Sequence, residues 1–131
     1  MLKDAKKTVL IAEDDAVLMR ALYLLFHENN YTIASAADGE TALKMTERLK
    51  PDLVLLDLLM PKMNGFEYLK NVKADPKLKE IPVIVLSNLG DQEDVAKAKA
   101  LGALDYFVKA DTDLTVLAAK VAVFLKPQLL N

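Results

Sequence analysis

The feature that most constrains the fold is a regular alternation of short apolar runs with longer segments of helical periodicity. The apolar runs predict five β-strands, because they are short, rich in β-branched and aliphatic side chains, and bounded by turn residues. The predicted strands cover residues 7–12, 31–36, 52–56, 83–87 and 105–108. Helices are predicted at residues 16–28, 39–50, 65–74, 92–101 and 114–125. Such an alternation predicts βα units around a parallel sheet.

Five parallel strands joined by right-handed crossovers most often take the order 2-1-3-4-5. We therefore predict an α/β fold, a (βα)5 doubly wound parallel five-stranded sheet of the flavodoxin-like type. The 131 residues fit a single domain spanning 1–131, and the sequence contains no internal repeat or interdomain linker. We expect a stand-alone domain with no output domain after the last helix.

Composition narrows the class of protein. The chain has no cysteine, and its apolar runs are much shorter than a membrane span, so we expect a cytoplasmic protein without membrane contact. The net charge is −2, with lysines and carboxylates interspersed along the chain. Nucleic acid binding by this chain is therefore not expected, because it would need a basic surface.

Acidic residues follow two of the predicted strands. Asp57 closes the run at 52–56, and Glu13, Asp14 and Asp15 close the run at 7–12. In the order 2-1-3-4-5 the first and third strands are neighbours, so Glu13 and Asp14 are predicted to lie beside Asp57. Carboxylates this close repel one another unless a cation compensates them, and clustered oxygen ligands suit Mg²⁺. The alternative is that the first cluster is only an acidic helix start.

The fourth and fifth strands end in a hydroxyl and a cation. These are Ser87 and Lys109, and both groups bind phosphoryl oxygens well. Taken alone, each is more simply a loop or surface residue. Here, however, the hydroxyl, the ammonium and the acidic residues are all predicted to lie at the same edge of the sheet. The combination predicts phosphoryl transfer to the Asp57 carboxylate, with Lys109 neutralising charge in the transition state.

At this point the sequence resembles a known family, the receiver domain of two-component response regulators. The matching residues are Glu13-Asp14, Asp57 with Met60-Pro61 and Asn64-Gly65 behind it, Ser87, and Tyr106-Phe107-Val108-Lys109. The resemblance covers nearly the whole chain. It implies that Asp57 is the phosphoacceptor and that Glu13 and Asp14 bind the metal together with the backbone carbonyl of Leu59.

The resemblance also implies a mode of signalling. Ser87 and Tyr106 are similar to the family's switch pair, which remodels the face made by the fourth helix, fifth strand and fifth helix. The expected function is a Mg²⁺-dependent switch that accepts a phosphoryl group from a sensor histidine kinase or a histidine phosphotransfer protein. Its output would be binding to a downstream protein target. Such a domain catalyses only its own phosphorylation and dephosphorylation and is not otherwise an enzyme.

Four residues depart from the family's pattern. Ala110 follows Lys109 where receivers usually have proline after a cis bond. Since a cis bond before alanine costs about 2.5–4 kcal/mol, this bond is expected to be trans or strained. Leu59 and Leu89 stand where many receivers carry polar groups that position water, so we expect a long-lived phosphoryl group. Asn88 replaces a small residue and is expected to narrow access for the phosphodonor.

Three other functions are consistent with parts of the pattern. A flavodoxin-like cofactor carrier needs a Ser/Thr/Gly-rich phosphate loop after the first strand, and the acidic residues there would repel FMN phosphate. A phosphatase with an aspartate nucleophile needs a second aspartate at the position of Leu59. A degenerate receiver that acts as a phosphorylation-independent interaction module is the strongest alternative, given Ala110, Asn88 and the two leucines.

Overall fold

The computed structural model describes residues 6–126. Within this range, five parallel strands form one sheet in the order β2-β1-β3-β4-β5, which confirms the predicted fold class and strand order. The strands are β1 (Thr8–Ala12), β2 (Thr32–Ala36), β3 (Leu53–Leu56), β4 (Val83–Ser87) and β5 (Asp105–Val108). The helices are α1 (Ala16–Glu28), α2 (Gly39–Leu49), α3 (Gly65–Ala74), α4 (Gln92–Ala100) and α5 (Leu114–Phe124), with a 3₁₀ turn at Lys109–Asp111.

The sheet separates two hydrophobic layers, because successive side chains along a strand point to opposite faces. In β1, Val9 and Ile11 pack with residues of α1 and α5, whereas Leu10 and Ala12 pack with residues of α2, α3 and α4. All four side chains are essentially inaccessible to solvent. A central parallel strand is covered by helices on both faces, which is why its sequence is continuously apolar instead of alternating.

Observed element boundaries differ from the predicted ones by at most one residue. Helix α2 ends at Leu49 because Lys50 has a positive φ of 46° and Pro51 follows it. Helix α4 ends before Gly102, whose φ of 110° suits glycine at a helix terminus. Strand β3 begins after Asp52, because that side chain accepts a hydrogen bond from the Thr8 backbone N–H at 2.7 Å.

Four of the five helices begin with a side-chain cap that satisfies a free backbone N–H of the first turn. Asp15, Asp38, Asn64 and Asp113 accept these hydrogen bonds at the starts of α1, α2, α3 and α5. The caps fix where each loop from the carboxyl end of a strand enters its helix. No helix within residues 6–126 combines the length and the apolar character needed to cross a membrane.

Candidate phosphoacceptor and metal site

The acidic residues of the first and third strand ends are brought together by the register of the sheet. Ala12 of β1 pairs with Leu56 of β3, so the residues that follow them emerge side by side. The Asp57 backbone N–H donates to the Ala12 carbonyl at 3.0 Å, which extends the pairing by one step. One carboxylate oxygen from each of Glu13, Asp14 and Asp57 lies within 4.8 Å of the others. The predicted cluster is therefore present.

Solvent reaches the three carboxylates unequally. Glu13 is 3% exposed and Asp57 is 4% exposed, whereas Asp14 is open to solvent. Two of the three carboxylates are thus buried at the edge of the sheet, and the third is exposed there. Oxygen ligands arranged around an open side suit a hard divalent cation that keeps some of its water.

Lys109 joins the two buried carboxylates. Its Nζ lies 2.8 Å from Asp57 Oδ2 and 2.8 Å from Glu13 Oε1. The second oxygen of Glu13 accepts the Asp15 backbone N–H at 3.0 Å. Three carboxylates and one ammonium leave two negative charges in the cluster, which a divalent cation would balance.

Burial and charge act in opposite directions on these groups. Burial raises the pKa of Glu13, and the hydrogen bonds from Lys109 and from the Asp15 backbone offset only part of that effect. Burial alone would lower the pKa of Lys109. Its hydrogen bonds to Asp57 and Glu13 more than compensate, so the pKa of Lys109 is raised and the side chain stays cationic.

Leu59 contacts Asp57 through its backbone. The Leu59 N–H donates to Asp57 Oδ1 at 3.1 Å, while its side chain is half exposed to solvent. Both oxygens of Asp57 are therefore hydrogen-bonded, one to Lys109 and one to this amide. The sequence did not predict this amide contact, because every residue except proline has a backbone N–H and the side chain does not show where it donates.

Ser87 and Tyr106 are connected through the backbone of Leu89. The buried Ser87 hydroxyl accepts the Leu89 N–H at 3.4 Å, and the half-buried Tyr106 hydroxyl donates to the Leu89 carbonyl. A movement of either side chain would alter the same peptide segment between β4 and α4. This shared contact was also missed, since sequence analysis treated Leu89 only through its side chain.

The residues that depart from the family pattern lie around this rim. The Leu59 side chain and Asn88 are exposed, and Leu89 is half-buried. The peptide bonds of residues 6–126 are all trans, including the bond between Lys109 and Ala110. The 3₁₀ turn that begins at Lys109 continues the chain from β5, and the ammonium still reaches both carboxylates.

The sequence of this chain matches a known protein family. Residues 9–122 match the response regulator receiver domain. The chain belongs to that family. It is thus a receiver domain with an acidic pocket and a lysine at the carboxyl ends of its strands, and it is not a conventional enzyme.

Curated relatives of this receiver are longer proteins. It is 36% identical over 106 residues to a probable transcriptional regulator, ycf27, of Guillardia theta, covering 81% of this chain and 41% of the relative. It is 35% identical over 125 residues to the Regulator of RpoS of Escherichia coli, covering 95% of this chain and 36% of the relative. The chain therefore spans well under half the length of these relatives.

Solved structures with the same fold include two response regulators, RcpA and Rcp1. The phosphorylated cyanobacterial phytochrome response regulator RcpA has a TM-score of 0.83 and 27% identity, covering 95% of this receiver and 98% of that chain. The Mn²⁺-bound form of response regulator Rcp1 has a TM-score of 0.83 and 26% identity, with coverages of 95% and 99%.

Proposed function

We propose that this receiver is a phosphorylation-dependent signalling switch in which Asp57 accepts a phosphoryl group in a Mg²⁺-dependent reaction. The observation that carries the proposal is the pair of 2.8 Å contacts from Lys109 to Asp57 and Glu13, inside a cluster of three carboxylates. A buried carboxylate beside a fixed cation and an acidic metal pocket is arranged for attack on phosphorus.

In the proposed reaction, an Asp57 carboxylate oxygen attacks the phosphorus atom of a phosphohistidine. A P–O bond forms as the P–N bond to the imidazole breaks, and the bond's electron pair leaves with the imidazole nitrogen. The Lys109 ammonium, which contacts Asp57 before the reaction, would then also contact the equatorial phosphoryl oxygens, where negative charge develops. Ser87, buried at the end of β4, would donate its hydroxyl proton to one of these oxygens.

Glu13, Asp14, Asp57 and the backbone carbonyl of Leu59 are the proposed protein ligands of Mg²⁺. Bound metal would supply charge neutralisation between the carboxylates and the phosphoryl oxygens. The hard oxygen donor set and the two uncompensated negative charges support a divalent cation. The Mn²⁺-bound form of the similar regulator Rcp1 gives further support.

Signal output is proposed to follow the Leu89 connection. When Ser87 turns towards a phosphoryl group, its hydrogen bond with the Leu89 N–H is lost, and the segment that holds the Tyr106 hydroxyl is released to move. The affected surface is the face formed by α4, β5 and α5, and a downstream protein target would bind there.

Membership of the receiver family implies a histidine kinase partner in general. A sensor histidine kinase or a histidine phosphotransfer protein is the proposed immediate donor to Asp57. A cytoplasmic location is part of the same proposal, because such a kinase draws its phosphoryl group from ATP.

The test is phosphorylation by a small donor. The protein would be incubated with acetyl phosphate and Mg²⁺, and its intact mass compared with that of Asp57→Asn and of a sample with EDTA. A mass gain of one phosphoryl group that requires both Asp57 and Mg²⁺ is expected. A wild-type protein that neither gains mass nor binds Mg²⁺ would instead favour a phosphorylation-independent interaction module.

A further inference from the structure

The loop between β3 and α3, residues 58–64, contains a rare backbone turn. The Met63 N–H donates to the Pro61 carbonyl at 2.8 Å, which closes a three-residue γ-turn around Lys62. Lys62 has a φ of 71°, a value that side chains with a Cβ adopt only at an energetic cost. A strained turn of this kind persists only where surrounding structure holds it in place, and such turns are frequent at functional sites.

The first residue of α2 provides that support. The Gly39 N–H donates to the same Pro61 carbonyl at 3.3 Å, using a helix N-terminal donor that has no partner within the helix. A Cβ atom at position 39 would lie only 1.8 Å from the Met63 carbonyl oxygen. Glycine is therefore required for this approach. Asp38, which caps α2, also lies 3.9 Å from the Lys62 ammonium.

Two further contacts hold the start and end of the loop. The Gly65 N–H donates to the Leu58 carbonyl at 2.9 Å, and the Leu59 N–H donates to Asp57 Oδ1 at 3.1 Å. Leu59 thus lies between a fixed strand end and the γ-turn supported by Gly39. Displacement of the turn would change the direction of the Leu59 peptide beside the Asp57 carboxylate.

We propose that the contact between the N-terminus of α2 and the γ-turn positions Leu59 for metal binding, with Gly39 and Lys62 as positioning residues. The inference rests on the proposed function, because it concerns the Leu59 backbone as a metal ligand. Neither positioning residue contacts a ligand itself. Each acts through the backbone of the β3–α3 loop, as outer contacts of metal sites commonly do.

A pair of substitutions at Lys62 tests the proposal without entering the core. The side chain of Lys62 is 63% exposed, and Lys62→Gly and Lys62→Val both remove its contact with Asp38. They differ in the backbone, since glycine adopts a φ of 71° freely and a β-branched residue strongly resists it. The comparison therefore isolates the turn.

Mg²⁺ affinity would be measured by calorimetry, and backbone amide spectra would be recorded without metal. We expect Lys62→Gly to bind Mg²⁺ within about twofold of wild type and Lys62→Val to bind about 10- to 100-fold more weakly. In the metal-free spectra, Lys62→Val should shift the amides of Leu59 and Gly39. Equal Mg²⁺ affinity for the two variants, with unshifted Leu59 and Gly39 amides, would overturn the inference.

A second pair tests the other side of the contact. Gly39→Ala places a methyl group against Met63, whereas a Cβ atom at Gly90 would make only ordinary contacts at 3.6 Å with Val108. We expect Gly39→Ala to shift the Leu59 amide and weaken Mg²⁺ binding, and Gly90→Ala to do neither. A Gly39→Ala protein with wild-type affinity and loop amides would contradict the inference. Failure of the wild type to bind Mg²⁺ would instead refute the proposed function, and the metal-free spectra would still report on the turn.

Discussion

The Lys109 ammonium lies 2.8 Å from an oxygen of Asp57, the proposed phosphoacceptor. The same nitrogen contacts Glu13 at an equal distance, so one cation serves two buried carboxylates. In the metal-free protein, Lys109 is therefore the internal counterion of the pocket. If the ammonium turns towards a phosphoryl group, its contact with Asp57 or Glu13 must weaken. Replacing Lys109 is therefore a sensitive test of the site.

Lys109→Met is expected to lower the free energy of unfolding of the metal-free protein by about 2 kcal/mol. Loss of one member of a fully buried ion pair costs about 3–5 kcal/mol, and water reaches part of Lys109, which reduces the cost. Urea unfolding with EDTA would measure the change. Lys109→Arg, which keeps the charge, serves as the control and should lose less. Equal stability of Lys109→Met and wild type would contradict a stabilising role for these contacts.

Asp14 is expected to contribute to metal binding with little effect on the metal-free fold, because it is exposed. At Mg²⁺ concentrations near 100 times the dissociation constant, the wild type should gain about 2.7 kcal/mol in free energy of unfolding. Asp14→Ala should lose most of that gain. Asp91→Ala is a matched control, since Asp91 is an exposed carboxylate whose side chain does not cap α4. An unchanged Mg²⁺ effect in Asp14→Ala would exclude it as a ligand.

The placement of the acidic cluster could be predicted because it depends on strand order and strand ends. The apolar runs define where β1 and β3 stop, and the commonest order for five strands makes them neighbours. The backbone of Glu13 and Asp14 then lies beside that of Asp57. The helix-start interpretation applies to Asp15 instead, whose carboxylate accepts the Val17 N–H at 2.9 Å.

The finer contacts could not be predicted, because they depend on loop backbone and on side-chain reach. The sequence predicts that Lys109 contacts a phosphoryl group, but its contact with Glu13 depends on how the long lysine side chain crosses the pocket. In the link between Ser87 and Tyr106, Leu89 takes part only through its main-chain N–H and carbonyl. The positive φ of Lys62 is equally hidden, since lysine has no preference for that conformation and no glycine occupies the turn.

The phosphoryl group on Asp57 is expected to be long-lived, because the side chains of Leu59 and Leu89 cannot hydrogen-bond an attacking water. Leu59→Asn should speed dephosphorylation about tenfold, the effect of one added hydrogen bond worth about 1.4 kcal/mol in the transition state. Loss of phosphate would be followed by intact mass after removal of the donor. Leu104→Asn, at another half-exposed leucine, is the control. Loss of phosphate from the wild type within seconds would contradict the prediction.

We expect the fold to lose stability at alkaline pH because Tyr68 is buried. Its buried hydroxyl lies 2.6 Å from the Thr46 hydroxyl, which donates its own proton to the Ala42 carbonyl, so Tyr68 is the donor. Burial raises the pKa of Tyr68 from 10.0 to about 12. Between these values the unfolded chain loses the phenolic proton and the folded protein keeps it, so the free energy of unfolding falls as pH rises.

The contribution of Tyr68 is fully present below pH 10 and is lost as the pH rises through 12, a decline of about 3 kcal/mol, because each pKa unit corresponds to about 1.4 kcal/mol. Urea unfolding across this range would be compared for wild type and Tyr68→Phe. The variant loses the hydrogen bond to Thr46 and should be less stable at neutral pH by about 1 kcal/mol. Its stability should fall less steeply above pH 10. Parallel pH profiles for the two proteins would show that Tyr68 does not resist ionisation in the folded state.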